Sequence, residues 1–526
     1  MESINNRNTK IFYAISFFVS LIAIALVLFV SEKYGAGVSG DSIDYLSTAD
    51  NIIRHHRFFD YTNTEYIYLP PLYPSLLAVV SFISGMDPFL VAGYLNAILF
   101  GLIVFLVGTL FYKSFPDFPV FAYVSLLFTF TSVSILRLAS NITSDPLFIV
   151  LVLFFVIRSS RYLSNPTINK LIQLVLIAGT AALLRWNGVV LILCVVFLTL
   201  YAKRHDVKDA LKTSLWAGTL SSSPLLLWVL GRNFRIYGTL FGKRNLNSID
   251  PLANLADSTT KIINWYLPNS LTRDIPMLLF WIGFLILLTI FIRWLIVRRA
   301  NNPWSITQHL PWVIFVIVDY LFLMVFTFTA DHPDFYDDRY YAPLFPFTFM
   351  GIAVLTTMFF LEPLKRRREA HGIKADIATI VVILIAGVWL IFPSSRLMKY
   401  IIVTREHGES TYNLYNSEAF NESEVIQFLL EEKLEEGKKI YSNFPGAVYF
   451  FTRNTTFPAP RSVDRYDIDF LRDQFHEWPY SDEAYLVFFL PDYWKHYYTP
   501  QQLSTIADLV EVLISKDGGI YLVRQR

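Results

Sequence analysis

The chain has 526 residues, of which 54% are hydrophobic and only 17% charged, and its formal net charge is +1 at pH 7. Soluble proteins carry about 25% charged residues, and a nucleic-acid-binding surface needs an excess of basic residues. The composition therefore argues against both classes and indicates an integral membrane protein. With a single cysteine, Cys194, the chain has no pair of thiols for an intramolecular disulfide.

The apolar residues form blocks of about 18 to 25 residues, the length that crosses a hydrocarbon core about 30 Å thick. We predict an α-helical polytopic membrane protein with about eleven transmembrane helices. The predicted spans are residues 11–30, 88–112, 118–136, 145–163, 170–185, 188–202, 211–230, 276–297, 310–329, 341–361 and 376–392. We expect the first block to be retained, because it is long for a signal peptide and Ser31-Glu32-Lys33 is a poor cleavage site.

Lysine and arginine collect in alternate short loops, such as the one that holds Lys203 and Lys208, whereas the opposite loops hold Asp41 and Asp145. The positive-inside rule relates such a bias to orientation. It predicts a multi-pass protein of the plasma or inner membrane with a cytoplasmic N-terminus and an extracytoplasmic C-terminal domain.

The first outer loop, residues 31–87, is too long for a simple turn. Residues 42–56 have the pattern of an amphipathic helix. Residues 72–84, opened by Pro70-Pro71-Leu72-Tyr73-Pro74, are apolar but too short to span a membrane. This profile is typical of interfacial helices that lie in the membrane plane.

After about residue 393 the composition becomes that of a soluble α/β domain. We therefore predict two domains, a transmembrane catalytic domain over 1–392 and an extracytoplasmic α/β domain over 393–526. Asn421-Glu-Ser-Glu424 reads as a capping box, and Thr499 with Pro500 as a helix start. We expect strands at 439–442, 484–490 and 519–523, and helices up to 434, over 467–478 and from 499.

Asp41 and Asp44 lie three residues apart at the start of the first outer loop, which places both carboxylates on one helix face. A partly desolvated carboxylate there could accept a proton from an acceptor hydroxyl. The alternative is that these residues only stabilise a helix N-terminus, where aspartate is common. The residues alone leave both interpretations open.

Several short motifs follow one another along the chain. Asp41 is followed by Tyr45 and Ala49, and then by the Pro-Pro-Leu-Tyr-Pro segment before a short apolar helix. Further motifs along the chain are Arg137 with Asp145-Pro146, Leu184-Arg185-Trp-Asn-Gly188, Arg232-Asn233 with Tyr237-Gly238, and Asp338-Arg339-Tyr340. This order resembles the GT-C superfamily of membrane glycosyltransferases, in particular the group of protein O-mannosyltransferases and the lipid A aminoarabinose transferase.

The resemblance implies an inverting glycosyltransferase, hexosyl or pentosyl, that takes its sugar from a polyprenyl phosphate such as dolichyl or undecaprenyl phosphate. It implies that Asp41 is the essential acid and that Asp145 is a second one. Many relatives have Lys or His where this chain has Leu69, so the donor phosphate must be bound elsewhere. The expected substrate-binding residues are Asp44, Tyr45, Arg137, Arg185, Arg232, Arg339 and Tyr340.

The expected partners are a lipid-linked sugar donor, a glycan, lipid or protein acceptor and membrane lipids, with no nucleic acid. No cofactor is predicted. His55, His56 and His332 lack a metal-ligand spacing, so a divalent metal is unsupported by the sequence. Asp319, in the middle of a span, is either paired or functional.

Two other classes remain as alternatives. A transporter or flippase of lipid-linked sugars would also have many spans, and typically has repeats and midplane charges. An O-antigen ligase or polymerase-like enzyme would use the same carriers, but would place its large outer loop late in the chain.

Overall fold

The computed structural model describes residues 2–240, 251–268, 277–301, 304–327, 338–364, 377–408, 415–432, 434–461, 467–490 and 496–526. His332 and the ends of three predicted spans, at residues 276, 328–329 and 376, lie outside these ranges.

Most of the described chain is helical. The helices before the C-terminal sheet are α1 (Glu2–Val30), α2 (Gly40–His55), α3 (Leu72–Ser84), α4 (Pro88–Ser114), α5 (Val120–Phe130), α6 (Val133–Ser140), α7 (Asp145–Ser164), α8 (Ile168–Leu184), α9 (Val189–Ala202), α10 (Val207–Trp228), α11 (Phe234–Tyr237), α12 (Pro251–Asn264), α13 (Met277–Asn301), α14 (Trp304–Thr327), α15 (Phe345–Thr356) and α16 (Ile377–His407).

Six stretches within the described helices are long and apolar enough to cross a membrane, and α5 with α6 would make a seventh as a bent pair. The six are Arg7–Val30, Pro88–Ser114, Asp145–Ser164, Thr307–Val325, Ala342–Leu364 and Ile380–His407. These helices support an integral membrane protein with several spans. The predicted number of eleven stays a prediction, because α8, α9 and the apolar part of α13 are shorter.

The predicted span 118–136 is not one straight helix. It is broken between α5 and α6, whose axes differ by 50°. The Thr131 hydroxyl donates to the carbonyl of Leu127 at 2.8 Å, and the Ser132 hydroxyl accepts from the amide of Ile135 at 3.4 Å, which caps α6. Two polar residues that bond to the backbone thus end one helix and start the next.

The chain forms two compact units. The first unit comprises residues 1–29, 67–73 and 94–400, and the second comprises 30–66, 74–93 and 401–526. In the first unit, α1 packs closely on α4, because a Cβ on Gly101 would lie 2.8 Å from the carbonyl oxygen of Ser20. The predicted domain boundary at residue 392 falls inside α16 and stays a prediction.

The second unit contains a five-stranded sheet. Its strands are β1 (Lys439–Ser442), β2 (Thr456–Pro458), β3 (Glu483–Phe489), β4 (Ala507–Ser515) and β5 (Gly518–Gln525), in the order β2-β1-β3-β5-β4. β1 is parallel to β2 and β3, whereas β5 is antiparallel to β3 and β4. The sheet has a hydrophobic core on each face, because alternate β3 residues join different clusters, Leu486 on one side and Val487 on the other.

The helices of this unit are α17 (Glu418–Asn421), α18 (Glu424–Glu431), α19 (Pro445–Thr452), α20 (Ile468–Phe475) and α21 (Pro500–Leu503). The predicted capping box at Asn421 is wrong, because Ser423 caps α18 and accepts from the amide of Ile426 at 3.2 Å. The predicted start at Thr499 is confirmed, because its hydroxyl accepts from the amide of Gln502 at 3.3 Å and the Gln502 side chain accepts from the Thr499 amide.

Candidate active site

Helix α2 of the second unit begins one residue before Asp41. Ser39 precedes it in an extended conformation, and the Ser39 amide donates to the Ser42 hydroxyl at 2.9 Å. Asp41 lies in the first turn, where the helix dipole stabilises a negative charge. Local sequence therefore forms this helix and favours an ionised carboxylate at its start.

A buried asparagine fixes the segment that leads into α2. The Asn416 amide group donates to the carbonyls of Tyr34 and Ala36 at 2.7 and 2.8 Å, and its oxygen accepts from the Val38 amide at 2.9 Å. The Tyr415 amide adds a bond to the Val38 carbonyl at 2.8 Å. The C-terminal part of the chain thereby holds the approach to Asp41 within the second unit.

Asp44 belongs to a group of three carboxyls. Burial raises the pKa of Asp44 well above its ordinary value of 3.8, and the negative charges of Asp60 and Asp41 raise it further. Asp44 nevertheless keeps partial solvent access, as does Asp41. The raised pKa favours the protonated Asp44 carboxyl, which reduces the repulsion in the group.

Tyrosines surround these carboxyls. Burial, and then the charges of neighbouring groups that include Asp44, raise the pKa values of Tyr61, Tyr66 and Tyr415. Tyr45 is only 3% exposed and lies close enough to Tyr66 to raise its pKa as well. The phenols stay neutral and can donate hydrogen bonds to an anion or to a bound sugar.

Asp60 is the carboxylate that we did not predict from the sequence. It accepts bonds from the amides and hydroxyls of both Thr62 and Thr64, at 2.6 to 3.1 Å. The Asn51 side chain ties this turn to α2 by donating to the Phe59 carbonyl at 2.9 Å. The Asp-x-Thr-x-Thr spacing is a legible turn signal, but nothing in it indicates proximity to Asp44.

In the first unit, the two predicted site residues Asp145 and Arg185 form an ion pair. Asp145 begins α7, and its Oδ2 lies 2.5 Å from the Nη1 of Arg185. The side chains are 2% and 12% exposed, and the same Nη1 donates to the Ser144 hydroxyl at 3.2 Å. Asp145 thus compensates the charge of Arg185 and fixes its position, so the pair has a structural role whatever else it does.

The other predicted arginines of the first unit lie over aromatic rings. Arg137 lies 5.8 Å from the ring centre of Tyr400, Arg232 lies 4.6 Å from that of Trp228, and Arg339 lies 4.9 Å from that of Tyr340. Such cation–π contacts orient a guanidinium. Helix α6, which carries Arg137, packs both on α7 and on the turn Asp338–Tyr340, so Arg137 and Arg339 are on neighbouring elements.

Leu69 lies in a short segment that contacts two of these arginine-bearing regions. The Trp186 side chain donates to the Tyr68 carbonyl at 2.9 Å, and the Asn233 side chain donates to the Ile67 carbonyl at 3.4 Å. Leu69 itself carries no charge, and Arg185 and Arg232 lie next in sequence to the side chains that bond to its segment.

Asp319 in α14 is fully buried, and neither carboxylate oxygen has a hydrogen-bond partner among the described residues. His55 and His56 are exposed at the end of α2. Within the described ranges, no group of three His, Cys, Asp or Glu residues could hold a metal ion.

The chain shares its fold with solved structures of a membrane glycosyltransferase. The chain is similar to the crystal structure of ArnT, the lipid A aminoarabinose transferase, from Cupriavidus metallidurans bound to undecaprenyl phosphate, with a TM-score of 0.58 and 12% identity over 98% of this chain and 97% of that one. The crystal structure of ArnT in the apo state matches with a TM-score of 0.58 and 13% identity, over 97% of this chain and 98% of that one. At these identities the likeness concerns the fold, and at that level it confirms the GT-C resemblance.

Archaeal AglB from Archaeoglobus fulgidus, an oligosaccharyltransferase in complex with an inhibitory peptide and a dolichol-phosphate, matches with a TM-score of 0.49 and 10% identity over 90% of this chain and 69% of that one. No protein-family model and no curated protein sequence matches the chain.

Proposed function

We propose that this chain is an inverting glycosyltransferase that moves a sugar from a polyprenyl phosphate to an acceptor on the extracytoplasmic side of the membrane. The ArnT fold over nearly the full chain supports the class, and the undecaprenyl phosphate bound to ArnT supports the donor. The observation that carries the proposal is the pair of neighbouring carboxyls on α2, Asp41 and Asp44, of which Asp44 has a raised pKa.

In the proposed reaction the acceptor hydroxyl attacks the anomeric carbon of the donor sugar. The new bond joins the acceptor oxygen to that carbon, and the bond between the carbon and the phosphate oxygen breaks with its electron pair on the phosphate. The hydroxyl proton moves to a carboxylate, and polyprenyl phosphate leaves. Direct displacement inverts the anomeric configuration.

Asp41 is the proposed base. A sugar hydroxyl is a weak acid, and a positioned carboxylate typically contributes about 10²–10⁴-fold by accepting its proton. Asp44 suits this role less well, because its raised pKa favours the protonated carboxyl, which can donate a hydrogen bond to the acceptor or to Asp41. Two neighbouring carboxyls in different environments are a common arrangement for dividing such tasks.

The donor phosphate needs positive charge rather than a protonating acid, since it leaves as an anion. We assign this task to Arg137, Arg232 and Arg339, because one guanidinium group can donate two parallel hydrogen bonds to a phosphate group. Tyr340 would add a hydroxyl donor. Arg185 would also contribute to phosphate binding, although its ion pair with Asp145 already compensates part of its charge. Asp145 is then a positioning residue for that cation, not a second base.

The proposal is tested with the full-length protein in lipid nanodiscs. Undecaprenyl phosphate binding is measured by mass spectrometry of the retained lipid, and transfer by the release of undecaprenyl phosphate from a panel of its monosaccharide derivatives, with envelope extract as the acceptor source. We expect wild type to bind the lipid and to release it. Asp41→Asn should bind it equally and lose release by about two orders of magnitude or more.

Asp44→Asn is the comparison variant. It should lower release much less, because the asparagine amide can still donate a hydrogen bond as the protonated Asp44 carboxyl does. Failure of wild type to bind undecaprenyl or dolichyl phosphate would overturn the proposal. Lipid binding without release by wild type would instead favour a flippase, which breaks no bond between sugar and phosphate. Unchanged release in Asp41→Asn would rule out Asp41 as the base.

A further inference from the structure

A polar cavity of about 140 Å³ lies in the second unit, between the end of α2, the turn after it and the end of α19. Asp50, Arg54, Asp60, Tyr61, Tyr449 and Arg453 are among the residues that line it. The residues assigned to catalysis or donor binding above are not among its lining residues.

Asp50 is the most informative lining residue, because it is a carboxylate that is only 8% exposed. Its Oδ2 lies 3.5 Å from Arg453, which also reaches Asp87 at 3.3 Å. Charge-assisted hydrogen bonds are normally about 2.7–2.9 Å long, so these contacts are loose. Burial raises the pKa of Asp50, although Arg453 and Arg54 lower it. A buried carboxylate with a loosely held cation normally requires further polar partners.

Two tyrosines form an aromatic wall of the cavity. The ring centres of Tyr61 and Tyr449 are 5.9 Å apart with an angle of 51° between the planes. Burial raises the pKa of Tyr449 to about 12, so its phenol remains a hydrogen-bond donor at neutral pH. The cavity therefore joins two aromatic side chains to donors and acceptors of both charges.

The chemistry and size of this cavity define the ligand class. Carboxylate, guanidinium and amide groups together match a ring whose hydroxyls both donate and accept, and aromatic faces match its C–H surface. A free phosphate fits less well, because Asp50 and Asp60 line the same cavity as the two arginines. The volume is below the about 300–1,000 Å³ of pockets for drug-sized ligands, so it limits the ligand to a single small ring.

We propose that this cavity binds one sugar ring of a glycan acceptor, held by Asp50, Arg54 and Arg453 against Tyr61 and Tyr449. The assignment of the ring to the acceptor rests on the proposed function, because the arginines assigned to the donor phosphate belong to the first unit. The binding of a sugar ring as such rests only on the cavity.

Sugar binding is measured by saturation-transfer-difference NMR on the full-length protein in nanodiscs of lipids without sugar headgroups. The probes are the methyl glycosides of mannose, glucose, galactose and xylose, with inorganic phosphate as a competitor. We expect at least one glycoside to give saturation transfer. Asp50→Asn and Arg54→Ala should each weaken its binding about tenfold or more, since each loses hydrogen bonds to a charged group.

Arg54 is exposed, so its loss should leave the fold intact, which thermal unfolding checks. Arg524→Ala is the matched control, because Arg524 is an exposed arginine of the same unit paired with Glu483 at 2.8 Å and does not line the cavity. It should bind like wild type. The proposal is wrong if no glycoside gives a signal or if Asp50→Asn and Arg54→Ala bind the glycoside like wild type. It is also wrong if inorganic phosphate at the same concentration displaces the bound glycoside.

Two further measurements separate this proposal from the proposed function. Glycoside binding that persists in Asp41→Asn, or in a wild type without transfer activity, leaves the cavity assignment intact. In the transfer assay, Arg54→Ala should raise the acceptor concentration needed for half-maximal rate by about tenfold and leave that of the donor unchanged. A change in the donor value alone would overturn the acceptor assignment.

Discussion

Asp44 combines an unfavourable position with a use in the proposed reaction. A partly buried carboxyl flanked by Asp41 and Asp60 is harder to ionise than a free aspartate, which favours a hydrogen-bond donor beside the proposed base. Protons in such a group are shared. Removing one carboxyl therefore changes the behaviour of the other, and stability and activity should respond differently.

The effect of Asp44 on stability depends on pH. Between its ordinary value of 3.8 and its raised folded pKa, the folded state binds more protons than the unfolded state. The stabilisation is thus fully present below about pH 3.8 and is lost as the pH rises through the folded pKa. We expect Asp44→Asn to flatten this decline and to raise the melting temperature at pH 8 relative to wild type.

Thermal unfolding in detergent at several pH values between 4 and 9 measures this effect. Asp469→Asn is a control, because Asp469 is an exposed acid of the same unit whose side chain is 90% exposed. Its stability profile should follow that of wild type. A parallel decline in Asp44→Asn and wild type would show that another group is responsible.

The pair of Asp145 and Arg185 should show strong energetic coupling. Each side chain is largely buried, so removing one leaves the other charge without compensation, which typically costs about 3–5 kcal/mol. We expect Asp145→Asn and Arg185→Met each to lower stability strongly, and the double variant to lose much less than the sum. A double-mutant cycle from thermal or denaturant unfolding measures the coupling. Additive losses would mean that the ion pair contributes nothing in solution.

The sequence could indicate only part of this site. Asp41, Asp44 and Tyr45 occupy one turn of a helix, so their proximity follows from spacing alone. Asp60 reaches the same group because a turn folds back on α2, and Arg185 meets Asp145 across 40 positions of the sequence. Both contacts depend on tertiary packing, and the sequence next to these residues does not indicate which distant residue they will meet.

At the scale of elements, the segment before α2 depends on Asn416 for its position. Asn416 is 3% exposed and makes three backbone hydrogen bonds to residues 34–38. Asn443 is a matched residue, because it is 2% exposed and makes two bonds to the backbone of Phe489 within the sheet. Each asparagine fixes a piece of backbone through its side-chain amide. Asn416 fixes the segment that leads to Asp41, whereas Asn443 fixes a strand of the sheet.

Both substitutions by alanine should destabilise the protein, since each leaves buried backbone groups unsatisfied at about 1–3 kcal/mol per group. At a temperature where both variants remain folded, we expect Asn416→Ala to lower the release of undecaprenyl phosphate at least tenfold and Asn443→Ala to lower it little. Stability comes from thermal unfolding and release from the assay described above. Equal activities at equal folded fractions would remove the positioning role of Asn416.

Elements with a strong local pattern were predictable, and those defined by pairing were not. Long apolar blocks predicted helices at α1, α4 and α7, and β1 has the predicted bounds of residues 439–442. Strand β4, by contrast, is an edge strand with mostly exposed residues, and it exists through its pairing with β5. Its sequence, Ala507–Ser515, has no alternation that would distinguish it from an amphipathic helix.

For the molecule as a whole, the proposed reaction requires a particular orientation in the membrane. A polyprenyl-phosphate donor used outside the cytoplasm requires α2 and the sheet of the second unit to be extracytoplasmic. The basic loop at 203–212 should then be cytoplasmic. A single native cysteine, Cys194, is fully buried in α9, so one substitution gives a background without thiols for labelling.

In a Cys194→Ala background we expect Lys516→Cys to react with a membrane-impermeant maleimide in intact cells, because the Lys516 side chain is 81% exposed in the turn between β4 and β5. His205→Cys, at an exposed position of the basic loop, should react only after permeabilisation. Both should react equally in detergent, which controls for accessibility. Labelling of His205→Cys but not Lys516→Cys in intact cells would place the sheet and Asp41 in the cytoplasm, where an extracytoplasmic transfer could not occur.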